Sequence, residues 1–324
     1  MQRRNVFETD ALRLLDAVAR TGSFTAAAAE LNYTQSAVSR RIASLEQQAG
    51  GPLFERLPRG VRPTPAGELL WEHARAVLNR LARARDDLAG IHGGYRGRVR
   101  VGAFATANVA LVPAALRAFR QEFPEVELTP VEGPSGGLLR RMREGGLDLA
   151  VVSDYPSGLP YGGGDRGGEG GGGAEFTELT ADELFVALPR DHPLAEGAPG
   201  DPVDLRDLRE ETWIEAPPPG GRTMLADACA RAGFTPRASI RISEWTGKYG
   251  FVAAGLGVTL VPALAVPAVP EGLAVRSLGA FAPHRTVYAA LPRTAPPAAR
   301  ALARLLREEA RRQAVRSARR AAGQ

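Results

Sequence analysis

The sequence is short of cysteine and lysine, and it contains no long apolar run. One cysteine, Cys229, stands among 324 residues, so no disulfide can form within the chain. Apolar runs stay below the ~18 residues that a membrane-spanning helix needs, and the first residues lack the apolar core of a secretion signal. The hydrophobic content of 44% and the charged content of 24% are ordinary for globular proteins. These features predict a cytoplasmic protein of two or three domains.

Charge is distributed unevenly along the chain, and 40 of the 41 basic residues are arginine, with Lys248 as the exception. Residues 1–97 carry 14 arginines and 10 acidic residues, a net charge of +4. Residues 98–299 carry 19 basic and 24 acidic residues, a net charge of −5, and residues 300–324 carry 8 arginines and 2 glutamates, a net charge of +6. A basic N-terminal module predicts a polyanionic partner, whereas the acidic middle part argues against the whole chain coating nucleic acid.

Two short helices are predicted between residues 24 and 46, after a first helix with one apolar face. Ser23 is a suitable N-cap for the first of them, and the alanines at 26–29 remove side-chain bulk where helices meet. The second helix starts at Thr34 or Gln35, and its apolar residues point inward. Its polar side chains remain outside, and they are Gln35, Ser36, Ser39, Arg40 and Arg41.

This arrangement predicts a helix-turn-helix whose polar face lies in the major groove of DNA. Glutamine can bond adenine and arginine can bond guanine, so we expect Gln35 and Arg40 to contact base edges. The alternative is a three-helix bundle with a solvated polar face.

A short hairpin with three arginines is predicted directly after these helices. Arg56, Arg59 and Arg62 surround a turn at residues 58–60, which is typical of the wing of a winged helix-turn-helix. We expect Arg56 and Arg62 to bind phosphates together with Thr34, because a wing flanks the helix that lies in the groove.

Residues 22–70, GSFTAAAAELNYTQSAVSRRIASLEQQAGGPLFERLPRGVRPTPAGELL, closely resemble the DNA-binding domain of LysR-type transcriptional regulators. The resemblance rests on a Ser-Phe-x-x-Ala-Ala-x-x-Leu helix, a Thr-Gln-Ser-Ala-Val-Ser recognition helix, a Leu-Phe-x-Arg wing and a Thr-x-Ala-Gly helix start. It continues more weakly through residue 295 in FPEVELTPVEG, GGLDLAVV, PRDHPLA and VAAGLGVTLVP. A glycine-rich segment before residue 175 and an arginine-rich tail after residue 299 depart from the family pattern.

The resemblance implies a repressor or activator that responds to a ligand and assembles as a dimer of dimers, a homotetramer. The implied partners are a double-stranded DNA operator, a small-molecule effector, other copies of the chain and, for an activator, RNA polymerase. No membrane partner and no cofactor are implied.

The helical stretch after the wing carries an apolar seam. Thr64 can cap this helix, and apolar residues then alternate at spacings of four and three, which is typical of a coiled coil. The predicted dimerisation residues are Leu70, Val77, Leu81 and Leu88, with Ala74, Ala84 and Ile91 in the same row. The alternative is a helix packed on its own domain.

From residue 98 onward, short β-type runs alternate with helical stretches such as 111–122 and 138–144, which predicts a parallel-rich α/β architecture. The predicted β-type runs are 99–103, 126–132, 147–152, 184–189, 240–243, 258–261 and 287–291. The family resemblance implies that this part is an effector domain of two α/β subdomains, like a periplasmic binding protein. The predicted fold class is therefore α+β overall, with an N-terminal winged helix-turn-helix, a long linker helix and this effector domain. The predicted bounds are 1–65 for the DNA-binding domain, 66–93 for the linker helix, 98–174 with 268–298 for effector subdomain 1, 175–267 for effector subdomain 2 and 299–324 for a basic tail.

Strand-to-helix transitions in such a body can offer free N–H groups to an anion. Thr106 and Ser135 lie at two of them, and either hydroxyl could equally be an ordinary helix N-cap. The resemblance favours Thr106 as a ligand contact, and it puts a predicted loop at 244–248 across the cleft. We therefore predict an anionic effector, a small carboxylate, held between Thr106 and Lys248 beside Trp245. The alternative for Lys248 is a chance position on an exposed loop.

Ser135 also raises an enzymatic alternative, because Gly133-Pro-Ser-Gly-Gly137 matches the Gly-x-Ser-x-Gly pattern of a hydrolase nucleophile. His192 belongs to a loop motif of the regulator family, and His284 has no assignable acid, so we predict no enzyme. The histidines and Cys229 lack the spacing of metal ligands, and no metal is expected.

Two segments have biased compositions. Ten glycines occur among the 17 residues of segment 158–174, which predicts a mobile surface loop. The arginine-rich end after residue 299 is either a last helix or a disordered arm.

Overall fold

The structure, a computed structural model, describes residues 7–93, 97–154, 174–197, 201–216 and 223–321. The glycine-rich segment therefore lies outside the described residues, except for Ala174. The chain divides into two compact units, the first of residues 1–94 with 143–146 and the second of residues 95–142 with 147–324.

The first unit is a winged helix-turn-helix followed by a long helix, as predicted. Its helices are α1 (Thr9–Thr21), α2 (Phe24–Glu30), α3 (Gln35–Ala49) and α4 (Pro65–Gly93), and its wing is the antiparallel pair β1 (Phe54–Arg56) and β2 (Val61–Pro63). Ser23 and Thr34 cap α2 and α3, since their hydroxyls accept from the backbone N–H groups three residues on. Asn32 has a φ of 56° in the turn between these helices, a conformation that asparagine tolerates better than most residues.

Two glycines allow close backbone packing in the first unit. A Cβ at Gly67 would lie 2.0 Å from the carbonyl oxygen of Leu53, so only glycine fits where α4 crosses the entry to the wing. A Cβ at Gly60 would lie 2.6 Å from the carbonyl oxygen of Gly22, at the wing tip. Thr64 caps α4 as predicted, because its hydroxyl accepts from the N–H of Gly67 at 3.1 Å.

The apolar seam of α4 has two different environments. Ala74 is buried and Leu70 is half-buried against the core of the first unit, and Trp71 donates its indole N–H to Asp16 at 2.8 Å. Leu70 and Ala74 therefore pack on their own domain, which was the alternative for the whole seam. By contrast, Val77 is 44% exposed, Leu81 49% and Leu88 59%.

The second unit contains nine of the described strands and five of the described helices. The strands are β3 (Gly97–Ala103), β4 (Val126–Glu132), β5 (Leu149–Ser153), β6 (Ala174–Pro189), β7 (Thr212–Ile214), β8 (Arg237–Ile240), β9 (Thr259–Pro262), β10 (Leu273–Arg276) and β11 (His284–Pro292). The helices are α5 (Leu111–Glu122), α6 (Ser135–Arg143), α7 (Met224–Arg231), α8 (Trp245–Ala253) and α9 (Pro297–Ala321).

The strand pairing is mixed, so the expectation of a parallel-rich body is wrong. Strands β3 and β4, β3 and β5, and β7 and β8 pair in parallel. Strand β11 pairs antiparallel with β5 and β6, and β6 pairs antiparallel with β9 and β10. The physical reason is that the chain leaves the first effector subdomain along β6 and returns to it along β11, so these two strands run in opposite directions.

The chain passes back from the second effector subdomain to the first at a later residue than the predicted boundary at 267/268. Leu273, Leu278 and Ala282 belong to the apolar clusters of the second subdomain, together with residues such as Trp213. The chain therefore rejoins the first subdomain at His284, where β11 begins to pair with the first half of β6. Because strand β10 was not recognised from the sequence, the boundary was predicted too early in the chain.

The segment after residue 299 begins as part of the core, and it is not a free tail there. Leu302, Leu306 and Ala310 of α9 are buried in the cluster that contains Phe119 of α5. Apolar residues at helical spacing in this half of α9 account for its packing.

Candidate functional site

The polar face predicted for DNA reading is open to solvent. Gln35, Ser36, Arg40 and Arg41 of α3 are exposed, and Ser39 is half-buried. The opposite face of α3 buries Val38, Ile42 and Leu45, which fixes the orientation of the polar side chains. The guanidinium of Arg41 lies 5.0 Å from the ring centroid of Tyr33, and this contact holds it at the start of the recognition helix.

The three wing arginines are exposed, but they have different surroundings. Arg62 donates to Glu55 across the hairpin at 2.7 Å, and this hydrogen bond raises the pKa of Arg62. Arg56 and Arg59 form no ion pair with the residues that the structure describes. Glu46 accepts from the backbone N–H of Leu53 at 2.9 Å and thereby ties α3 to the first residues of the wing. The wing is therefore fixed relative to the recognition helix.

A cavity of about 230 Å³ is lined mainly by residues of the second effector subdomain. Its charged described lining residues are Glu215, Lys248 and Arg285, and Trp245 and Thr259 add a ring and a hydroxyl. The apolar part of the wall includes Met224, Leu225 and Leu260. This lining suits a small molecule with both polar and apolar parts.

Lys248 lies inside a helix and is buried, so its predicted position on a loop is wrong. Helix α8 starts at Trp245, and the N–H of Lys248 donates to the carbonyl of Glu244 in the first helical turn. The side chain is only 9% exposed, and its ammonium lies 4.4 Å from the ring centroid of Trp245. Burial lowers the pKa of Lys248, and the negative charge of Glu215 opposes that shift.

Glu215 follows strand β7 and was not identified from the sequence. Its carboxylate accepts from the hydroxyl of Thr223 at 3.0 Å, and Thr223 in turn caps α7. Burial raises the pKa of Glu215, whereas the Thr223 hydrogen bond and the charge of Lys248 lower it. Glutamate at the carboxyl end of a parallel strand was a detectable signal, but the strand has three residues and escaped recognition.

Arg285 joins the cavity to the strands that cross between the subdomains, and it too was missed. It donates to the fully buried carboxylate of Asp182 at 2.8 Å and to the hydroxyl of Thr106 at 2.6 Å. Its guanidinium also lies 4.8 Å from the ring centroid of Phe104. No local motif in the sequence marks Arg285.

Thr106 does not line the cavity, contrary to its predicted place opposite Lys248. It lies in a 3-10 turn, is 2% exposed and uses its hydroxyl to hold Arg285. The structure therefore brings Lys248, Trp245 and Arg285 together in the cavity lining. Thr106 contacts Arg285 but not the cavity.

Ser135 lies outside the cavity lining and binds within its own subdomain. Its hydroxyl accepts from the backbone N–H of Ser153 at 3.0 Å, which joins α6 to the end of β5. His192 contacts Glu211 at 3.2 Å and accepts from the N–H of Leu194 at 3.1 Å, and neither contact involves Ser135.

Two features are absent from the described part of the chain. No group of three or more potential metal-binding side chains occurs among the described residues. No helix in the described ranges is long and apolar enough to cross a membrane.

Comparisons with known proteins agree with this architecture. Residues 9–68 match the family described as bacterial regulatory helix-turn-helix protein, lysR family, and residues 92–311 match the LysR substrate binding domain. The transcriptional regulator TfdS of Cupriavidus pinatubonensis is 34% identical over 255 residues, which cover 78% of this chain and 81% of TfdS. The transcriptional dual regulator GltC of Bacillus subtilis is 31% identical over 233 residues, which cover 70% of this chain and 71% of GltC.

A solved structure of full-length CbnR in complex with its target DNA has the same fold. It aligns with a TM-score of 0.70 at 22% identity and covers 95% of this chain and 100% of CbnR. The winged helix-turn-helix and the substrate-binding domain together define a DNA-binding transcriptional regulator. The chain belongs to the LysR family.

Proposed function

We propose that a small metabolite with a carboxylate group controls this regulator by binding in the cavity beside Lys248. The observation that carries the proposal is the buried ammonium of Lys248, which lines the cavity and forms no ion pair with the described residues. A buried cation without a contacting anion is costly, so a ligand carboxylate would gain a charge-assisted hydrogen bond there. Trp245 and the apolar wall would contact the rest of the ligand.

The regulatory proposal includes the assembly and the DNA contacts. Gln35 and Arg40 contact base edges, while Thr34, Arg56, Arg59 and Arg62 bind phosphates of an operator duplex. The exposed seam of α4 joins two chains, and two such dimers form a tetramer that binds the operator in the cytoplasm. If the protein activates transcription, RNA polymerase is a further partner. Ser135 has a structural role and no catalytic role.

The test is a thermal-shift screen of the full-length protein against small carboxylates and their neutral amides, followed by calorimetry on the best ligand. We expect Lys248→Met to weaken binding of that carboxylate by ~1–3 kcal/mol, the scale of a hydrogen bond to a charged group. DNA affinity without ligand, measured on a duplex selected from a random pool, should stay unchanged.

Arg241→Met is the matched control, because Arg241 is exposed in the segment before α8 and does not line the cavity. It should leave ligand binding intact. Equal ligand affinity in Lys248→Met and the wild type, or a screen in which only the neutral amides bind, would contradict the proposal.

A further inference from the structure

Side chains of both charge signs line the proposed effector cavity. Lys248 and Arg285 are cationic and Glu215 is anionic among the described lining residues. Arg285 is neutralised within the protein, because its guanidinium lies 2.7 Å from the carboxylate of Asp182. Among the described lining residues, the ligand therefore meets one unpaired cation, Lys248, and one anion, Glu215.

Among the described residues, fewer groups donate hydrogen bonds to the Glu215 carboxylate than a carboxylate can accept. One of its oxygens accepts from the Thr223 hydroxyl at 3.0 Å, and no other described group donates to it. A carboxylate has about four acceptor sites, and a half-buried one is costly when most of them are unused. The raised pKa of Glu215 reflects this burial. A donor on the ligand would relieve the deficit.

A ligand with only a carboxylate fits this cavity poorly. Its carboxylate at Lys248 would add a second negative charge near Glu215, and like charges repel strongly away from bulk water. A ligand that also carries an ammonium group pairs with both residues and leaves the charge balance of the cavity unchanged. Its apolar part can contact Leu225 and Leu260.

We infer that the effector is a zwitterion, a small molecule whose carboxylate binds Lys248 and whose protonated amine binds Glu215. Small α-amino acids and other aliphatic amino carboxylic acids are the chemical class, because their amines are protonated at neutral pH. The inference rests on the proposed effector site, and it adds Glu215 as the residue that selects among carboxylates.

The experiment uses the full-length protein and matched ligand pairs, each an amino acid with its des-amino carboxylate, such as valine with isovalerate and phenylalanine with 3-phenylpropionate. Binding is measured by calorimetry at one salt concentration. We expect the best amino acid to bind at least about tenfold more tightly than its partner, as charge-assisted pairing predicts. Glu215→Gln should remove that preference while preserving the Thr223 hydrogen bond.

Glu244→Gln is the matched control, since Glu244 precedes α8, is exposed and does not line the cavity. It should keep the preference, and thermal unfolding should show that both variants are folded. Des-amino acids that bind as tightly as amino acids, with no change of preference in Glu215→Gln, would overturn the zwitterion and leave the carboxylate proposal standing. Failure of every carboxylate in the panel to bind would overturn both.

Discussion

The guanidinium of Arg285 and the carboxylate of Asp182 form a buried ion pair, 2.7 Å apart, between the two strands that cross from one effector subdomain to the other. Asp182 is fully buried on β6 and also accepts from the backbone N–H of Leu264 at 3.0 Å. Because Arg285 lines the cavity and donates to Thr106 in the first subdomain, this pair connects the cavity with the two crossing strands.

Removal of one partner of this pair should destabilise the effector domain strongly. Asp182→Asn leaves the Arg285 charge buried without a counterion, and such a loss typically costs about 3–5 kcal/mol. The measurement is the free energy of denaturant unfolding of the second unit, with circular dichroism as the probe. Glu127→Gln is the control, since its pair with Arg98 at 3.1 Å is exposed and should contribute little. An equal loss of unfolding free energy in the two variants would show that the buried Asp182 pair stabilises the domain no more than the exposed pair does.

Much of the fold follows from local sequence patterns. Helix α5 and strand β4 have the predicted bounds, because apolar spacing and flanking prolines or turns define them locally. The winged helix-turn-helix was predicted for the same reason, with two capping hydroxyls and an apolar helix face. These features depend on neighbours within a few residues.

The parts that failed depend on contacts between distant segments. Strand β6 has 16 residues, and its four acidic residues all lie in the part before Leu184, so only its apolar last part was recognised. Strand β10 is defined by its pairing with β6, and its own sequence does not mark the subdomain boundary. The cavity beside Lys248 combines Glu215, Lys248 and Arg285, which no local motif links. Lysine in a buried helical turn also contradicts the usual preference of lysine for exposed positions.

The recognition helix should carry sequence specificity through Gln35. Gln35→Ala should cost ~1–3 kcal/mol at one base pair of each half-site, because a bidentate contact to adenine is lost. Arg62→Ala should weaken all sequences alike, since a phosphate contact carries no base information. A panel of single-base variants of the selected duplex, bound at fixed salt, measures both effects.

Gln47→Ala provides the control on the same helix. Gln47 is exposed near the C-terminal end of α3, away from its first turns, and its loss should not alter base preference. A uniform loss across all duplexes for Gln35→Ala would contradict the assignment of Gln35 to a base edge.

The exposed half of the α4 seam should hold two chains together. Leu81→Arg places a charge in an apolar interface, where an unpaired charge is strongly unfavourable. We expect monomers in light scattering and no operator binding, with the effector domain still folded. Leu69→Arg is the matched control, because Leu69 is 60% exposed and lies outside the seam row. A Leu81→Arg protein with the mass of the wild-type assembly would exclude this seam as the interface.

Cys229 should be inert toward thiol reagents in the folded protein, which distinguishes a ligand sensor from a thiol-based redox sensor. Its side chain is fully buried, and burial, followed by the charge of Glu215, raises its pKa to about 12. Because the thiolate is the reactive form, almost no reactive species exists at about pH 8. A colorimetric disulfide reagent should detect no thiol in the native protein and one after unfolding in guanidinium. Ala254→Cys, at an exposed position after α8, should add one thiol that reacts in the native state. Native Cys229 that reacts as fast as this added thiol would contradict the prediction and would favour a redox role for the cysteine.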